Sequence, residues 1–329
     1  HFVDFRYYND ITLRNFEMRD YQVNAVRAWS TYVERYGLGT VQAPTGSGKS
    51  IIALMAVLQF LRNYPKGTVF YSTISTALVK QFADFAKREG LSFSVITGEI
   101  KEKPSQLNAV SSMYLSQQLR KNRNSEIATL LKNVGLLIID EAHHTPADTI
   151  KKIVLSSPNS VRLGLTATPF RDDNAEKLIY GLVGDIVHKI PIPLLIERGY
   201  LVPVTYYSYT TRGSVQLYEL LDNTEKYNEQ FSFCVKYKRF NEQIYRAVKK
   251  LYEDGLTPIL VLVKTIKQGH ILLKYLKHVD KDAIFISSKN SLKNRLEVFD
   301  AIRNGEQKIT IATSLADEGL DLPILRTVV

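Results

Sequence analysis

Residues 40–52 have the sequence TVQAPTGSGKSII. Their first three residues are typical of a short strand, and the segment from Lys49 to Leu61 is typical of a buried helix. Between the two, Gly46 and Gly48 lack Cβ atoms, so the backbone can turn tightly and direct its N–H groups at one point. A glycine-rich turn between a strand and a helix predicts an α/β fold built on a parallel sheet.

The same loop has the residue types that bind phosphate. Its N–H groups and the positive end of the following helix favour an anion. Lys49 can reach the β- and γ-phosphates of a nucleotide, and the Ser50 hydroxyl is a suitable ligand for Mg²⁺. A glycine-rich turn that carries a lysine by chance is the alternative, and the strand–loop–helix context argues against it. The expected nucleotide-binding residues are Pro44, Thr45, Gly46, Ser47, Gly48, Lys49 and Ser50.

An acidic pair follows another apolar run. Residues 136–139 are continuously apolar, as in a central parallel strand, and Asp140 and Glu141 come directly after them. There Asp140 can hold Mg²⁺, while Glu141 can orient and deprotonate a water molecule. An isolated Asp-Glu pair is more often a solvated strand end, but the upstream loop favours the catalytic interpretation. With Lys49, the pair predicts a site that binds and hydrolyses a nucleoside triphosphate with Mg²⁺.

Composition limits the class of protein. The 329 residues leave room for two domains, and an apolar content of 45% supports sizeable cores. No apolar run approaches the length of a membrane span, so no membrane partner is expected. Cys234 is the single cysteine, which excludes an intrachain disulfide and a four-cysteine metal site. An intracellular protein is the simple interpretation, cytoplasmic in a prokaryote and nuclear in a eukaryote.

The charge balance is basic. Lys and Arg number 43 against 33 Asp and Glu, which gives a net charge of +10. An excess of this size favours a polyanionic partner such as a nucleic acid. On charge alone, a basic protein without such a partner is an equal alternative.

Strand-like and helix-like segments alternate from Thr40 to Ile190, and a second series begins at Pro258. Between them, the segment from about Thr211 to Gly255 is rich in Tyr, Lys, Glu and Asn and is predicted to be helical. Strands are predicted over residues 40–42, 69–71, 93–96, 136–139, 162–165, 259–263, 283–286 and 308–312. This pattern predicts two tandem parallel-sheet α/β domains with an inserted helical segment, divided as 1–205, 206–256 and 257–329.

With these motifs in order, the chain resembles the superfamily 2 helicases, and within them the XPB group of DNA translocases. The segment Met18–Gln22 resembles the Q-type motif before the first domain, in which Gln22 would read adenine and Arg19 would belong to the same cofactor site. The resemblance implies two RecA-like domains with ATP and Mg²⁺ as cofactors, and an inserted helical thumb.

Other motifs follow in the family's order. Ser72 and Thr73 resemble motif Ia, which holds the nucleic-acid backbone, and residues 166–169 resemble motif III, which couples the ATP site to nucleic acid. Thr313 and residues 317–323 resemble motif V. The resemblance implies coupling roles for His143, Thr166 and Thr168, further nucleotide contacts at Gly319 and Asp321, and nucleic-acid contacts at Thr73 and Thr313.

Two features favour the XPB group. The charged residues after motif III stand where XPB proteins have an Arg-Glu-Asp signature linked to DNA melting, although the middle residue here is Asp. The helical insertion lies where XPB proteins have a thumb that grips DNA, and it places cations beside aromatic residues. A charged loop and a solvated helix face are the alternatives. The expected nucleic-acid contacts are Arg171, Asp172, Asp173, Lys236, Lys238 and Arg239.

The resemblance implies a 3′ to 5′ ATP-dependent DNA helicase or translocase that acts on forked or partly single-stranded DNA in repair or transcription-linked opening. Archaeal XPB proteins also suggest a nuclease partner. The alternatives are the duplex-DNA motor of a restriction or remodelling complex and a DNA-binding scaffold with an idle ATPase. Motif VI, whose arginines complete the family's ATP site, would follow Val329. The second domain is therefore expected to be incomplete at its C-terminus, with weak turnover by residues 1–329.

Overall fold

The computed structural model describes residues 4–122, 124–141, 145, 147–167, 176–208, 235–287, 289–313 and 325–329. The chain divides into two compact units, His1–Val204 and Thr205–Val329. Each unit has a parallel sheet of its own. The division falls beside residue 205, where the sequence predicts the end of the first domain.

The sheet of the first unit has seven strands. They are β1 (Leu38–Gln42), β2 (Val69–Thr73), β3 (Ser94–Ile96), β4 (Leu107–Ser111), β5 (Leu136–Asp140), β6 (Val161–Thr166) and β7 (Ile186–Lys189). Their order is β3-β4-β2-β5-β6-β1-β7, and every neighbouring pair is parallel. The carboxyl ends of all these strands therefore lie at one edge of the sheet, which confirms the predicted α/β class.

Helices cover both faces of this sheet. They are α1 (Asp20–Tyr36), α2 (Lys49–Asn63), α3 (Thr76–Arg88), α4 (Ser112–Lys121), α5 (Glu126–Lys132), α6 (Ala147–Leu155), α7 (Glu176–Val183) and α8 (Ile192–Glu197). Side chains alternate along β5: Leu136 and Ile138 pack in the core with α1, α2 and α3, whereas Leu137 and Ile139 pack in the core with α4, α5 and α6. This alternation explains the continuous apolar run, because a strand that is covered on both faces needs apolar residues at every position.

Two strands of the first unit escaped the sequence prediction. β4 has the sequence LNAVS, and its polar residues suggested no strand. Asn108 is fully buried, and its polar amide is satisfied there: it accepts from the Ser105 N–H at 2.8 Å and donates to the Ser105 carbonyl at 2.6 Å. β7 is a short edge strand, half-buried over most of its length, which lacks the continuous apolar signal of a central strand.

The first three strands of the second unit lie where the sequence predicts them, whereas the fourth, a short strand, was not predicted. Its strands are β8 (Ile259–Val263), β9 (Ile284–Ile286), β10 (Ile309–Thr313) and β11 (Thr327–Val328), in the parallel order β11-β8-β10-β9. Its helices are α9 (Lys238–Glu253), α10 (Ile266–Leu276) and α11 (Leu292–Arg303). Over the residues that the structure describes, no helix of either unit combines the length and the apolar composition that a membrane span requires.

The helix α9 lies inside the predicted thumb, residues 206–256. Its Val248 is fully buried and belongs to the same core cluster as Ile259 and Val261 of β8. The predicted thumb therefore includes a helix that packs in the core of the second unit. Residues 209–234 lie outside the described part of the chain, and the limits of a separate thumb stay a prediction.

A substitution at Leu272 tests whether this residue belongs to the core of the second unit. Its side chain is fully buried on α10 among residues of β8 and β10. We expect Leu272→Ala to lower the free energy of unfolding by about 2–5 kcal/mol, because it removes apolar contacts and leaves a cavity. Urea unfolding followed by circular dichroism measures this change. The control Leu155→Ala truncates a leucine that is 67% exposed and should change stability by less than about 0.5 kcal/mol; equal losses would contradict the core assignment.

Candidate nucleotide site

The glycine-rich loop joins β1 to α2, as predicted. Gly46 and Gly48 have φ angles of 80° and 82°, in the left-handed region that favours glycine. A Cβ atom at Gly48 would also lie 2.4 Å from Nε2 of Gln22. Both the backbone conformation and the close approach of α1 therefore require glycine at position 48.

Two side chains at the start of α1 hold this loop. The Tyr21 hydroxyl and Nε2 of Gln22 both donate to the Ser47 carbonyl, at 2.9 and 3.0 Å. Oε1 of Gln22 accepts from the Arg19 N–H at 3.0 Å, which satisfies the main-chain donor of the residue that precedes the helix. Gln22 thus bonds within the protein through both amide atoms, and only 1% of it is exposed. Its role in reading adenine stays a prediction.

The residues after α8 pack against the same region. Arg198 forms an ion pair with Asp20. The guanidinium carbon of Arg19 lies 3.8 Å from the centre of the Tyr200 ring, a cation–π geometry. These contacts fix the main-chain path next to the glycine-rich loop, where a Cβ atom at Gly46 would come within 2.8 Å of Leu201.

Asp140 ends β5 and is almost fully buried. Its Oδ2 accepts from the Tyr71 hydroxyl at 2.5 Å, and its Oδ1 accepts from the Glu141 N–H at 2.9 Å. Burial, with the neighbouring Glu141 charge, raises the pKa of Asp140 to about 6, although Lys49 and the two hydrogen bonds act in the opposite direction. Burial, followed by the Asp140 charge, also raises the pKa of Tyr71, so the phenol stays protonated and donates.

Lys49 and Glu141 form an ion pair that joins the two predicted motifs. Lys49 Nζ lies 2.9 Å from Glu141 Oε1, and the side chains are 10% and 19% exposed. Glu141 has a φ of 51°, and no other non-glycine residue in the described ranges has a positive φ. That conformation costs a non-glycine residue roughly 1–2 kcal/mol, and such strain is typical of functional sites. The structure therefore brings Lys49, Asp140 and Glu141 together, as the sequence predicts.

Comparisons with known proteins show which family the chain resembles. Residues 15–171 match the family described as type III restriction enzyme, res subunit, and residues 216–329 match the helicase conserved C-terminal domain. The chain is 24% identical over 338 residues to the DNA 3′-5′ translocase XPB2 of Sulfurisphaera tokodaii, covering 93% of this chain and 73% of that protein. The chain belongs to the XPB-like superfamily 2 helicases.

Two further similarities concern a viral relative and the fold. This helicase chain is 40% identical over 342 residues to helicase 22 of Sulfolobus islandicus filamentous virus (isolate Iceland/Hveragerdi), and it spans 100% of its own length but only 60% of that relative. It also resembles the HsdR subunit of a type I restriction enzyme from Vibrio vulnificus YJ016, with a TM-score of 0.64 and 15% identity over 93% of this chain and 56% of that one. The structural likeness confirms the RecA-like fold.

The segment predicted to be motif III begins next to the loop. Thr166 ends β6, and its carbonyl accepts from the Ala43 N–H at 2.8 Å. This bond ties the predicted coupling segment to the first residue of the glycine-rich loop. Seven of the predicted site residues lie outside the described part of the chain: His143, Thr168, Arg171, Asp172, Asp173, Gly319 and Asp321.

The predicted nucleic-acid residues have different environments. Lys236, Lys238 and Arg239 are exposed around the start of α9. Thr313 ends β10 and is 8% exposed. Thr73 is fully buried, and its hydroxyl has no hydrogen-bond partner within the described residues. The Thr73 side chain is therefore not presented to a nucleic acid in this conformation.

The residues present fit a magnesium ion held together with a nucleotide. Magnesium keeps several waters and takes only one or two carboxylates beside substrate phosphates. The Asp140 carboxylate and the Ser50 hydroxyl, which is half-buried at the start of α2, supply such a set. Within the described residues, no group of three or more His, Cys, Asp and Glu side chains is placed to hold a metal ion by itself.

The sequence interpretation missed the tyrosines of this site. Tyr71 was assigned only to a strand, and Tyr21 only to the Q-type segment, yet they bond to Asp140 and to the glycine-rich loop. A tyrosine in an otherwise buried strand is a usable signal, because its hydroxyl needs a partner. The identity of that partner is set by the pairing of β2 with β5, which is not a local property of the sequence.

Substitution of Gln22 separates its two roles. We expect Gln22→Ala to weaken the binding of ATP and GTP by about the same factor, because it removes the donor that holds the Ser47 carbonyl of the loop. Fluorescence titration with labelled ATP and GTP measures both affinities. The control Gln117→Ala alters an exposed glutamine on α4 and should change neither. A loss confined to ATP would instead identify the Gln22 amide as the reader of the base.

The raised pKa of Asp140 predicts a pH-dependent stability. Because the folded-state pKa is about 6 against an ordinary value of 3.8, protonation of Asp140 favours the folded state, and this contribution is lost as the pH rises through 6. As the pH rises from 4 to 8, we expect the free energy of unfolding of Asp140→Asn to increase by about 1–3 kcal/mol relative to that of the wild type. Urea unfolding in EDTA measures the difference. The exposed control Asp84→Asn should follow wild type, and parallel curves for Asp140→Asn would contradict the assignment.

Proposed function

We propose that this XPB-like helicase is an ATP-dependent DNA translocase whose chemistry is carried by Lys49, Asp140 and Glu141. The observation that carries the proposal is the 2.9 Å ion pair between Lys49 and Glu141, beside a buried Asp140 at the carboxyl edge of the sheet. A cation, a metal-binding carboxylate and a basic carboxylate are the groups that phosphoryl transfer to water requires.

In this proposal, nucleotide binding exchanges the partner of Lys49. The γ-phosphate takes the place of the Glu141 carboxylate at Lys49 Nζ, because a phosphate carries more charge and is also bound by the N–H groups of the loop. Glu141 then orients the attacking water and accepts its proton. Mg²⁺, held by Asp140 and Ser50, would neutralise charge on the phosphate oxygens.

DNA is the proposed substrate. The net charge of +10 and the exposed cations Lys236, Lys238 and Arg239 support a polyanionic ligand. The name of the related translocase from Sulfurisphaera tokodaii supports DNA and 3′ to 5′ movement. We extend the proposal to forked or partly single-stranded DNA in repair or transcription-linked opening, and to a nuclease as the partner protein.

A second candidate is a motor that moves on duplex DNA without separating its strands. It is supported by the family that matches residues 15–171, which is described as a restriction enzyme subunit. The two candidates share the ATP site and differ in what they do to the strands. An experiment that distinguishes the two candidates must therefore follow the DNA product rather than ATP turnover.

Lys49→Ala tests the ATP site. We expect it to lower DNA-stimulated ATPase activity by about 100-fold or more, because the charge that faces the transferred phosphate is lost. Phosphate release is measured without nucleic acid and then with single-stranded DNA, duplex DNA, forked DNA and RNA. The control Lys132→Ala changes an exposed lysine at the end of α5 and should retain activity. Stimulated activity that survives Lys49→Ala would reject the assigned site.

The same DNA panel separates the two candidates. A helicase is stimulated most by the fork and releases the labelled strand, as a gel assay detects. A duplex motor displaces a bound triplex-forming strand while the duplex stays paired.

A further inference from the structure

A buried tyrosine contacts the carboxylate proposed to hold magnesium. Tyr71 lies on β2, which pairs with β5, and its hydroxyl donates to Oδ2 of Asp140 at 2.5 Å. Only 2% of Tyr71 and 5% of Asp140 are exposed. The hydrogen bond is therefore shielded from water, which would otherwise compete for the carboxylate.

The phenol ring stacks on a second aromatic ring, which is itself packed against a third. The ring of Phe82 on α3 stacks on Tyr71 with a centre separation of 3.6 Å and an interplanar angle of 9°. Phe93 meets Phe82 edge-on at 5.2 Å. Because Tyr71 is buried and its ring is stacked on Phe82, packing directs its hydroxyl at Asp140 before any ligand arrives.

The two oxygens of Asp140 are each fixed by one donor. Tyr71 binds Oδ2, and the Glu141 N–H binds Oδ1 at 2.9 Å. A carboxylate oxygen has two lone pairs, so one on each oxygen stays available for another partner. With both oxygens fixed, the carboxylate plane cannot rotate freely, and the remaining lone pairs keep a constant direction.

We propose that Tyr71 is a positioning residue for magnesium, because its hydroxyl fixes the orientation in which Asp140 accepts the ion or an ion-bound water. Tyr71 does not touch the ion, the nucleotide or the reacting atoms. This inference rests on the proposed function, since it assumes that the site binds nucleotide with a divalent ion. Partners of this kind commonly contribute 10- to 100-fold to metal affinity.

The test uses Mn²⁺ in place of Mg²⁺ and a non-hydrolysable ATP analogue, so that its readout does not depend on turnover. Electron paramagnetic resonance reports free Mn²⁺ and hence its affinity for the protein–nucleotide complex. Affinity for the analogue is measured separately in EDTA. Tyr71→Phe keeps the ring in its stack but removes the hydroxyl, and we expect it to weaken Mn²⁺ binding by about tenfold or more while analogue binding in EDTA stays within about twofold of wild type.

The control Tyr64→Phe removes a hydroxyl that donates to the Asp4 carbonyl at 2.8 Å, just beyond the far end of α2 from Lys49. It should leave Mn²⁺ affinity unchanged. In an Asp140→Asn background, Tyr71→Phe should cause little further loss, because both substitutions act through the same carboxylate.

Three outcomes would reject the role of Tyr71. They are an unchanged Mn²⁺ affinity in Tyr71→Phe, an equal loss of analogue binding with and without metal, and full additivity with Asp140→Asn. The second of these identifies a structural role only. A wild-type protein that binds no analogue under either condition would instead overturn the proposed function, and the role of Tyr71 with it.

Discussion

The ion pair between Lys49 and Glu141 is the interaction on which the rest of the site depends. Each charge is largely removed from water and needs the other, because an unpaired buried charge is strongly destabilising. The pair therefore fixes the start of α2 against the end of β5. It can form because β1 and β5 belong to one parallel sheet, whose carboxyl ends share an edge. The strained φ of Glu141 accompanies the same contact.

Around this pair, two features lower the stability of the folded state but keep a defined geometry. Asp140 is buried although its ionised form is disfavoured there, and Glu141 has a backbone conformation that few non-glycine residues adopt. These costs are offset by a well-packed surrounding. The Tyr71 hydroxyl donates to the carboxylate and its ring stacks on Phe82, while Gln22 of α1 donates to the loop. Sites arranged in this way give up stability for function, which agrees with the gain in stability expected when the buried charge is removed.

The sequence predicts the parts of this arrangement that depend on local chemistry. The loop glycines, the apolar run before Asp140 and the helix α11 all follow from turn geometry or periodicity, and the structure agrees with them. Contacts between distant segments escape such reasoning. Tyr71 reaches Asp140 only because β2 pairs with β5. Gln22 shows another case, since a residue that family resemblance assigns to adenine is bonded in the structure to the Arg19 N–H and to the Ser47 carbonyl.

The charged residues of the nucleotide site all lie in one of the two units. Lys49, Asp140 and Glu141 all belong to the first unit. The contacts described between the groups proposed to bind phosphate and metal are therefore contacts within that unit. Relatives with this α/β architecture have names as different as viral helicase, translocase and restriction enzyme subunit. The architecture therefore does not by itself specify what the proposed translocase does to DNA. Surfaces outside the nucleotide site must do so, and the exposed cations around the start of α9 are candidates for the proposed contact with DNA.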